Sequence, residues 1–383
     1  MDISILVGCR NNLDYTKLFY DTTRKQYPEV EIVFVSLGSN DGTKEWFESL
    51  NDPNTITYHN DESSCLSDTY NKAFSLATKS YMLLAHNDMV LGPNFLEELS
   101  YYKNEDIVLN YLTVEPPVFE DHERPGKMIN DFGFDFKSFR KKDFELFCID
   151  HQIGKTEPGI SFFMMFHRKI LEKVIGFDPL FSPMFKEDDD LILRILDSGI
   201  KDAFTVNNAM CYHFVSKTSR FSEEYIKTTN EIEQYSTLNF VRKWGFLADV
   251  IGSNKLNIVL ATNTLSGETI YYAESNFDAV YSPFDCNEYV DAIQKHTKIN
   301  LKNKFRLISE LNFEEHDIIL VVSKDTEESK KYITDPKPVF AHLLSLLNSE
   351  KDVKLPLKLE LDDPYNYIIV NRYVKYPVPQ IWN

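Results

Sequence analysis

The sequence predicts an α/β fold built around a mostly parallel sheet with helices on both faces. Three observations predict it. Short apolar, β-branched runs such as ISILVG (residues 3–8) are typical of strands that are buried on both faces. Segments with helical spacing follow these runs, the first being LDYTKLFYDTTRKQ (residues 13–26). Strand and helix alternate three times in the first part of the chain, and this alternation favours parallel strands.

The three units can be placed in order along the chain. After the first strand and helix, VEIVFVSLGSNDGT (residues 30–43) predicts a second strand that runs into Gly, Ser, Asn and Asp. LSDTYNKAFSLAT (66–78) predicts a helix, and SYMLLAH (80–86) predicts the next strand. Ligands of such sheets gather at the carboxyl ends of the strands, which here are the loops after Val7, Val35 and Leu84.

The rest of the pattern predicts two domains, residues 1–250 and 251–383. Residues 105–160 are weakly patterned, with VEPPVFEDHERPGK (114–127) predicting a loop. SFFMMFHRKILEKVIGFDPLF (161–181) predicts a strand, a helix and a turn, and residues 222–245 predict a helix that closes the first domain. The second, smaller α/β domain shows strands near 256–262 and 317–325, helices near 287–296 and 338–349, and a terminal strand pair. Its role is not indicated.

Composition excludes several classes of protein. The 383 residues carry a formal net charge of −18, which repels nucleic-acid phosphates and anionic lipid. This net charge is still compatible with a local basic patch. Five cysteines without CxxC spacing favour reduced thiols and a cytoplasmic location over a disulfide framework or a zinc site. No apolar run approaches the length of a membrane span, and the first residues lack the features of a signal peptide. A peripheral membrane contact stays open.

Four consecutive acidic residues, Glu187 to Asp190, precede the apolar run LILRIL. Carboxylates at the start of a helix accept hydrogen bonds from free N–H groups and meet the positive end of the helix dipole. Gly199 supplies the matching C-terminal stop. One capping residue is enough for this purpose, so capping explains the position of the run better than its length. We therefore expect one of the carboxylates to have a further role.

His86, Asn87 and Asp88 follow the third strand, where Asn and Asp favour a turn. Asp88 is also a possible oxygen ligand for a divalent metal, and His86, two residues earlier, lies on the same side of an extended chain. His213 is flanked by apolar residues, which suits a core histidine as well as a metal ligand. The residues alone leave both interpretations open.

In their order, these pieces resemble the family 2 glycosyltransferases with the GT-A fold, a Rossmann-like fold of nucleotide-diphospho-sugar transferases. The matching pieces are GCRNN after the first strand, LGSNDGT after the second, YNKAF on a helix, HND after the third strand, GFDPLFSPMFKEDDDLILRILDSGI (176–200) and YHFVSKTS (212–219). The resemblance spans residues 1–220, and residues 176–199 are its most specific part. It does not extend to the C-terminal domain.

The resemblance implies a role for each matching residue. Asp188 matches the family's general base, which takes the proton from the acceptor hydroxyl, and Glu187 and Asp189 are placed on the acceptor side. Asp88 and His213 match metal ligands, with His86 at the first position of the metal motif. The implied cofactor is Mn²⁺ or Mg²⁺. The residues matched to the nucleotide-sugar donor are Cys9, Arg10, Asn11, Ser36, Asp41, Asn71 and Asn87.

The chain departs from the family pattern in three places. Ser36 and Leu37 stand where the family has paired aspartates, so a carboxylate that holds the donor's base is missing and the base stays open. His86 replaces the first Asp of the metal motif, which leaves the site less anionic and makes a third ligand more necessary. Cys9 and Arg10 replace a Thr and an aromatic residue, and Arg10 becomes a candidate donor of charge-assisted hydrogen bonds to the diphosphate.

Two classes of function follow. The leading hypothesis is an inverting, metal-dependent hexosyl- or pentosyltransferase acting on a hydroxyl of a glycan, a lipid-linked glycan or a protein, with residues 136–144 as a candidate acceptor contact. A modified nucleic-acid base is a less favoured acceptor. The alternative is a catalytically silent relative that binds a glycan or scaffolds a partner. The lost aspartates favour that alternative, and the joint presence of Asp88, Asp188 and His213 disfavours it. A nucleotidyltransferase is disfavoured because VGCRNNLDY lacks a glycine-rich loop.

Overall fold

A computed structural model gives the fold of the chain. It describes residues 1–118, 125–154, 156–215, 217, 220, 222–245, 256–267, 269–294, 297–349, 353–361 and 364–373. These residues form two compact units, the first from Met1 to Glu233 and the second from Gln234 onward. The domain boundary predicted near residue 250 falls on residues 246–255, outside the described residues. The division into residues 1–250 and 251–383 therefore stays a prediction.

The first unit contains a ten-stranded sheet. Its strands are β1 (Ile3–Cys9), β2 (Glu31–Leu37), β3 (Thr55–Asn60), β4 (Tyr81–His86), β5 (Met89–Leu91), β6 (Ile107–Glu115), β7 (Lys127–Ile129), β8 (Thr156–Pro158), β9 (Met164–His167) and β10 (Asp202–His213). The helices of this unit are α1 (Leu13–Gln26), α2 (Thr43–Ser49), α3 (Leu66–Leu76), α4 (Phe95–Tyr102), α5 (Lys141–Asp150), α6 (Arg168–Val174) and α7 (Glu187–Asp197). A further helix, α8 (Thr229–Trp244), begins in this unit and has most of its residues in the second.

The order of the strands confirms the α/β prediction. The sheet follows the path β3-β2-β1-β4-β9-β6-β10-β5, with β7 beside β6 and β8 beside β10. β1 to β4 are parallel to one another, as the alternating pattern predicts. β9 runs antiparallel to both β4 and β6, and β5 runs antiparallel to β10, so the complete sheet is mixed.

Helices cover both faces of this sheet because successive side chains of a strand point to opposite faces. Ile3, Ile5 and Val7 pack in one cluster with residues of α1, α2 and α4. Leu6 packs in the other cluster with residues of α3, α6 and α7. The predicted run of apolar residues in β1 is thus explained by burial on both sides.

Two parts of the first unit differ from the sequence prediction. The nine-residue strand β6 lies where the pattern is weak and was not predicted. The helix predicted from residue 222 begins at Thr229, although it ends before Gly245 as expected. Residues 222–228 form turns instead, and within them Glu224 pairs with Arg10. The amphipathic spacing of this segment could not reveal a partner so distant in sequence.

The second unit contains a six-stranded sheet with the order β13-β12-β11-β14-β16-β15. Its strands are β11 (Ile258–Thr262), β12 (Ala279–Ser282), β13 (Phe305–Leu307), β14 (Ile318–Val322), β15 (Leu357–Glu360) and β16 (Asn366–Val370), and its helices are α9 (Thr269–Asn276), α10 (Asn287–Ile293), α11 (Glu327–Thr334) and α12 (Lys337–Ser349). The predicted small α/β domain is therefore present. Across the part of the chain that the structure describes, none of the helices has the length and apolar character needed to cross a membrane.

Candidate active site

The carboxyl ends of three neighbouring strands meet at one cavity. Parallel pairing sets Gly8 of β1 beside His86 of β4, and Cys9 beside Ser36 of β2. The cavity has a volume of about 450 Å³, and its described lining belongs to the first unit. That lining includes most of the residues singled out in the sequence: Cys9, Arg10, His86, Asn87, Asp88, Glu187, Asp188, Asp189 and His213.

His86, Asp88 and His213 form a cluster in which one ligand atom of each residue lies within 4.8 Å of the others. β4 ends at His86, and after Asp88 the short strand β5 pairs with β10, where His213 faces Met89. His213 Nε2 lies 3.4 Å from Asp88 Oδ1 and 3.5 Å from His86 Nδ1. Two imidazoles and one carboxylate at an open cavity are a suitable donor set for a divalent transition metal.

The charges in this cluster depend strongly on one another. Burial, together with positive charge on His213, lowers the pKa of His86 to about 4. Burial opposes ionisation of Asp88, but His213 outweighs it and the pKa of Asp88 falls to about 2. Burial likewise opposes charge on His213, yet the Asp88 and Glu115 carboxylates raise its pKa to about 10. The two shifts favour a protonated His213 paired with an ionised Asp88. A divalent cation bound beside Asp88 would replace the positive charge of His213, because His213 must release its proton to become a ligand.

Glu115, the last residue of β6, completes the hydrogen bonding of His213. Its Oε1 accepts a hydrogen bond from His213 Nδ1 at 2.8 Å, and its Oε2 lies 3.1 Å from Lys127 Nζ on β7. The side chains of Glu115, His213 and Lys127 are all buried. Burial opposes charge on Glu115, but the contacts with His213 and Lys127 hold its pKa below the ordinary value. The sequence analysis missed this residue, because Asn110 interrupts the apolar run of its strand, IVLNYLTV (107–114).

Asp190, the last of the four acidic residues at the start of α7, anchors this helix. Asp190 is fully buried and lies 2.7 Å from Arg194 Nη2, one helical turn later. Arg194 Nη1 also donates to the backbone oxygens of Val174 and Gly176. Asp190 is thus a structural residue, in agreement with its predicted place in the first turn. The helix ends at Asp197, two residues before the predicted stop at Gly199.

The start of α7 has an unusual backbone. Phe185 and Lys186 have φ values of 73° and 68°, in the left-handed region that residues other than glycine rarely occupy. Lys186 is the N-cap residue, and its Nζ donates to Asp189 Oδ2 at 2.6 Å. Left-handed conformations of this kind cluster at functional sites because they aim particular side chains.

Glu187 and Asp188 lie beside the cavity at this turn. Glu187 is buried, and its Oε2 has no hydrogen-bond partner among the described residues. Burial and the neighbouring Asp188 charge raise the pKa of Glu187 well above the ordinary value. Asp188 is half-buried, and burial together with the Asp189 charge raises its pKa to about 6. Asp188 Oδ1 accepts a hydrogen bond from the Asp189 N–H at 2.9 Å. A half-exposed carboxylate of this kind is suited to accept a proton near neutral pH.

Arg10, after β1, is already bound to a carboxylate. Its Nε and Nη2 donate to the two carboxylate oxygens of Glu224, at 2.9 and 2.5 Å, and its Nη1 donates to the backbone oxygen of Leu37 at 2.5 Å. A Cβ atom on Gly38 would lie 2.1 Å from Arg10 Nη1, so this contact requires glycine. Cys9 beside it is buried, and burial raises the pKa of its thiol to about 12.

The other residues matched to the donor bind neighbouring parts of the protein. Asn71 binds the Phe177 backbone twice, accepting from its N–H and donating to its carbonyl, both at 2.8 Å. Asn87 lines the cavity and donates to Thr16 Oγ1 at 3.0 Å. The remaining contacts join Asn11 to the Asn40 N–H, Ser36 to the Ser39 and His59 side chains, and Asp41 to the Leu13 N–H. Asn11, Ser36, Asp41 and Asn71 lie outside the described lining, and their donor-binding roles stay predictions.

Several lining residues received no role in the sequence analysis. Phe162 and Phe163 precede β9, and Lys217, Arg220 and Tyr225 follow β10. The sequence contains no spacing that distinguishes such aromatic and basic residues from ordinary core and surface positions. They are brought to the cavity by the order of the strands.

Comparison with known proteins relates part of the chain to a protein family. Residues 4–175 match the sequence model of the family described as Glycosyl transferase family 2, which confirms the resemblance over that range. The match ends before the acidic turn of α7. The sequence matches none of the curated proteins with which it was compared.

Three solved structures are similar to parts of the chain. TarS 1-349 from S. aureus is 15% identical, with 63% of this chain and 70% of that chain covered and a TM-score of 0.42. The mannosyltransferase PcManGT from Pyrobaculum calidifontis, in complex with GDP-Man and Mn²⁺, is 18% identical, with 56% and 57% covered and a TM-score of 0.40. GalNAc-T7 with UDP, GalNAc and Mn²⁺ is 13% identical, with 55% and 42% covered and a TM-score of 0.42.

Proposed function

We propose that the chain is an inverting glycosyltransferase, because residues 4–175 match the sequence model of glycosyl transferase family 2. Its donor is a nucleotide-sugar, its cofactor is a divalent metal, and its acceptor is a hydroxyl group. One observation carries the proposal: Asp188 lines the same cavity as the cluster of His86, Asp88 and His213. The reaction needs a base for the acceptor and a place for the charge of the leaving group, and the two sets of residues supply these.

The metal cluster and Arg10 are assigned to the leaving group. A divalent metal held by His86, Asp88 and His213 would neutralise the negative charge that departs with the nucleoside diphosphate. Arg10 lines the cavity, and its guanidinium is bound to the Glu224 carboxylate. The guanidinium can bind two oxygens of a diphosphate in the same bidentate way as it binds a carboxylate. Arg10 would therefore release Glu224 and bind the diphosphate of the donor.

Asp188 is assigned to the acceptor hydroxyl. The acceptor oxygen forms a bond to the anomeric carbon, the bond from that carbon to the diphosphate oxygen breaks, and the hydroxyl proton passes to Asp188. In-line attack of this kind inverts the anomeric carbon. A pKa of about 6 makes Asp188 a stronger base than an ordinary aspartate while leaving it largely ionised at neutral pH.

Glu187 and Asp189 are assigned to binding of the acceptor. Each has one buried carboxylate oxygen with no hydrogen-bond partner in the described parts of the chain, and both residues line the cavity. Unpaired buried oxygens cost free energy unless a ligand supplies donors. The hydroxyl groups of a sugar are such donors, so we favour a glycan acceptor.

The cluster also bears on the choice of metal. Mg²⁺ demands near-ideal octahedral geometry and oxygen ligands, whereas Mn²⁺, although it also favours oxygen, belongs to the transition series whose members bind nitrogen ligands as well. Two of the three ligands here are imidazoles. Of the two metals that the resemblance implies, we therefore propose Mn²⁺.

The proposal can be tested with a panel of UDP-, GDP-, CMP- and dTDP-sugars in the presence of Mn²⁺. We expect one donor to raise the melting temperature and to be hydrolysed or transferred, with a product of inverted anomeric configuration by nuclear magnetic resonance. Asp188→Asn should bind that donor and turn it over far more slowly. A chain that neither binds nor consumes any member of the panel would refute the proposal.

A further inference from the structure

Glu115 stands out because it touches the metal cluster without belonging to it. β6 and β10 are parallel and set Val114 beside Tyr212, so Glu115 and His213 are the next residues of the two strands. Each carboxylate oxygen of Glu115 has a different partner, His213 Nδ1 at 2.8 Å and Lys127 Nζ at 3.1 Å. This arrangement is set by the register of the sheet and not by a flexible loop.

We propose that Glu115 is a positioning residue of the metal site. It holds the Nδ1–H of His213, so that Nε2 faces Asp88 and His86 with its lone pair available for a metal. The inference rests on the proposed function, because it assumes that this cluster binds a divalent cation.

The hydrogen bond has one possible direction. An ionised carboxylate only accepts, so Nδ1 must carry the hydrogen and Nε2 must be the ligand atom. Nε2 is the ring nitrogen that lies 3.4 Å from Asp88 Oδ1 and 3.5 Å from His86 Nδ1. A carboxylate behind a metal-binding imidazole fixes the orientation of the ring and raises its basicity as a ligand.

Glu115 also supplies negative charge that the ligand set lacks. With His86 at the first position of the motif, Asp88 is the one carboxylate among the three clustered ligands. Glu115 adds a second carboxylate, which lies behind His213 and is not itself one of the three clustered ligands. Lys127 lies against the opposite oxygen and fixes the carboxylate from behind. A simple structural ion pair of Glu115 with Lys127 would need no contact with His213.

The experiment is to measure Mn²⁺ affinity by calorimetry and by electron paramagnetic resonance, using the full chain without nucleotide. Glu115→Ala should weaken Mn²⁺ binding by about 10- to 100-fold. Glu115→Gln keeps an oxygen that can accept from Nδ1, so its affinity should lie between those of Glu115→Ala and the parent chain. The double variant Glu115→Ala with Lys127→Met should behave like Glu115→Ala, and because it removes the buried lysine charge together with the carboxylate charge, it guards against loss of the fold.

Glu31 provides a matched control. It is also a buried carboxylate at a strand end of this sheet, but it accepts from Ser4 Oγ and the Thr78 N–H. Glu31→Ala should leave Mn²⁺ affinity unchanged even if it lowers the melting temperature. If all folded Glu115 variants bind Mn²⁺ within threefold of the parent chain, or if Glu115→Gln binds as weakly as Glu115→Ala, the inference is wrong and the proposed function stands. If the parent chain binds no Mn²⁺, the metal site and the inference both fail.

Discussion

Replacing Asp188 with asparagine should stabilise the protein while removing most of its activity. Its raised pKa means that the folded state disfavours the ionised carboxylate, so the free energy of unfolding falls as the pH rises from about 4 to about 6. A shift of about two pH units corresponds to about 3 kcal/mol. Because Asp188 is half-buried and partly screened by water, we expect a gain of about 1–2 kcal/mol from the neutral amide at pH 8. The asparagine oxygen can still accept from the Asp189 N–H.

Calorimetry at three pH values measures this effect directly. A gain of about 1–2 kcal/mol should raise the melting temperature of the transition by about 2–8 °C at pH 8. The gain should shrink at pH 5 and vanish below about pH 3, where Asp188 is protonated in the folded and unfolded states alike. Turnover of the donor identified in the panel should fall by about 10²- to 10⁴-fold. In the parent chain, the rate should decline as the pH falls through about 6.

Asp190→Asn is the matched control, two residues along the same turn. It removes one partner of the buried pair with Arg194 and should destabilise the protein by about 3–5 kcal/mol. The two amides should therefore change the melting temperature in opposite directions. An Asp188→Asn variant that melts below the parent chain at pH 8, or keeps more than a tenth of its turnover, would refute this assignment.

Three further outcomes are expected. His86→Asp should raise the activity with Mg²⁺ relative to Mn²⁺, because it replaces an imidazole ligand with oxygen; a lower ratio would contradict the ligand assignment. Glu224→Gln should tighten donor binding by about 3- to 10-fold and Arg10→Ala should weaken it, since the ion pair competes with the diphosphate; weaker binding by Glu224→Gln in equilibrium titrations would contradict the exchange. Asn71→Ala should cost about 2 kcal/mol in chemical denaturation, because two backbone hydrogen bonds to Phe177 are lost; unchanged stability would show that they contribute nothing.

The parallel strands of the first unit could be predicted because burial on both faces leaves a continuous apolar run. β6 could not be predicted in the same way, since its run is broken by Asn110. That side chain is buried and donates to the backbone oxygens of Ser161 and Phe163. The partners that make a buried asparagine tolerable lie on another segment of the chain, so local pattern alone gives no sign of them.

The candidate site could likewise be predicted from the sequence only in part. His86 and Asp88 could be placed at a strand end by spacing alone, whereas the choice between core residue and ligand for His213 needed the pairing of β10 with β5. The resemblance to the family 2 glycosyltransferases indicates the same residue independently of the pairing. Glu115 and the pairing of Arg10 with Glu224 depend on sheet register and chain path, which no short motif encodes.

The four acidic residues at the start of α7 are best understood as one arrangement with divided tasks. Two successive left-handed residues, Phe185 and Lys186, cost about 1–2 kcal/mol each. Asp190, through Arg194, anchors the helix that follows, and the contact of Lys186 with Asp189 fixes its first turn. The Asp189 N–H then donates to Asp188, which lowers the pKa of Asp188 against the effect of burial. Capping and catalysis are therefore not competing explanations of this run, because the same turn that strains the backbone keeps the proposed base ionised at neutral pH.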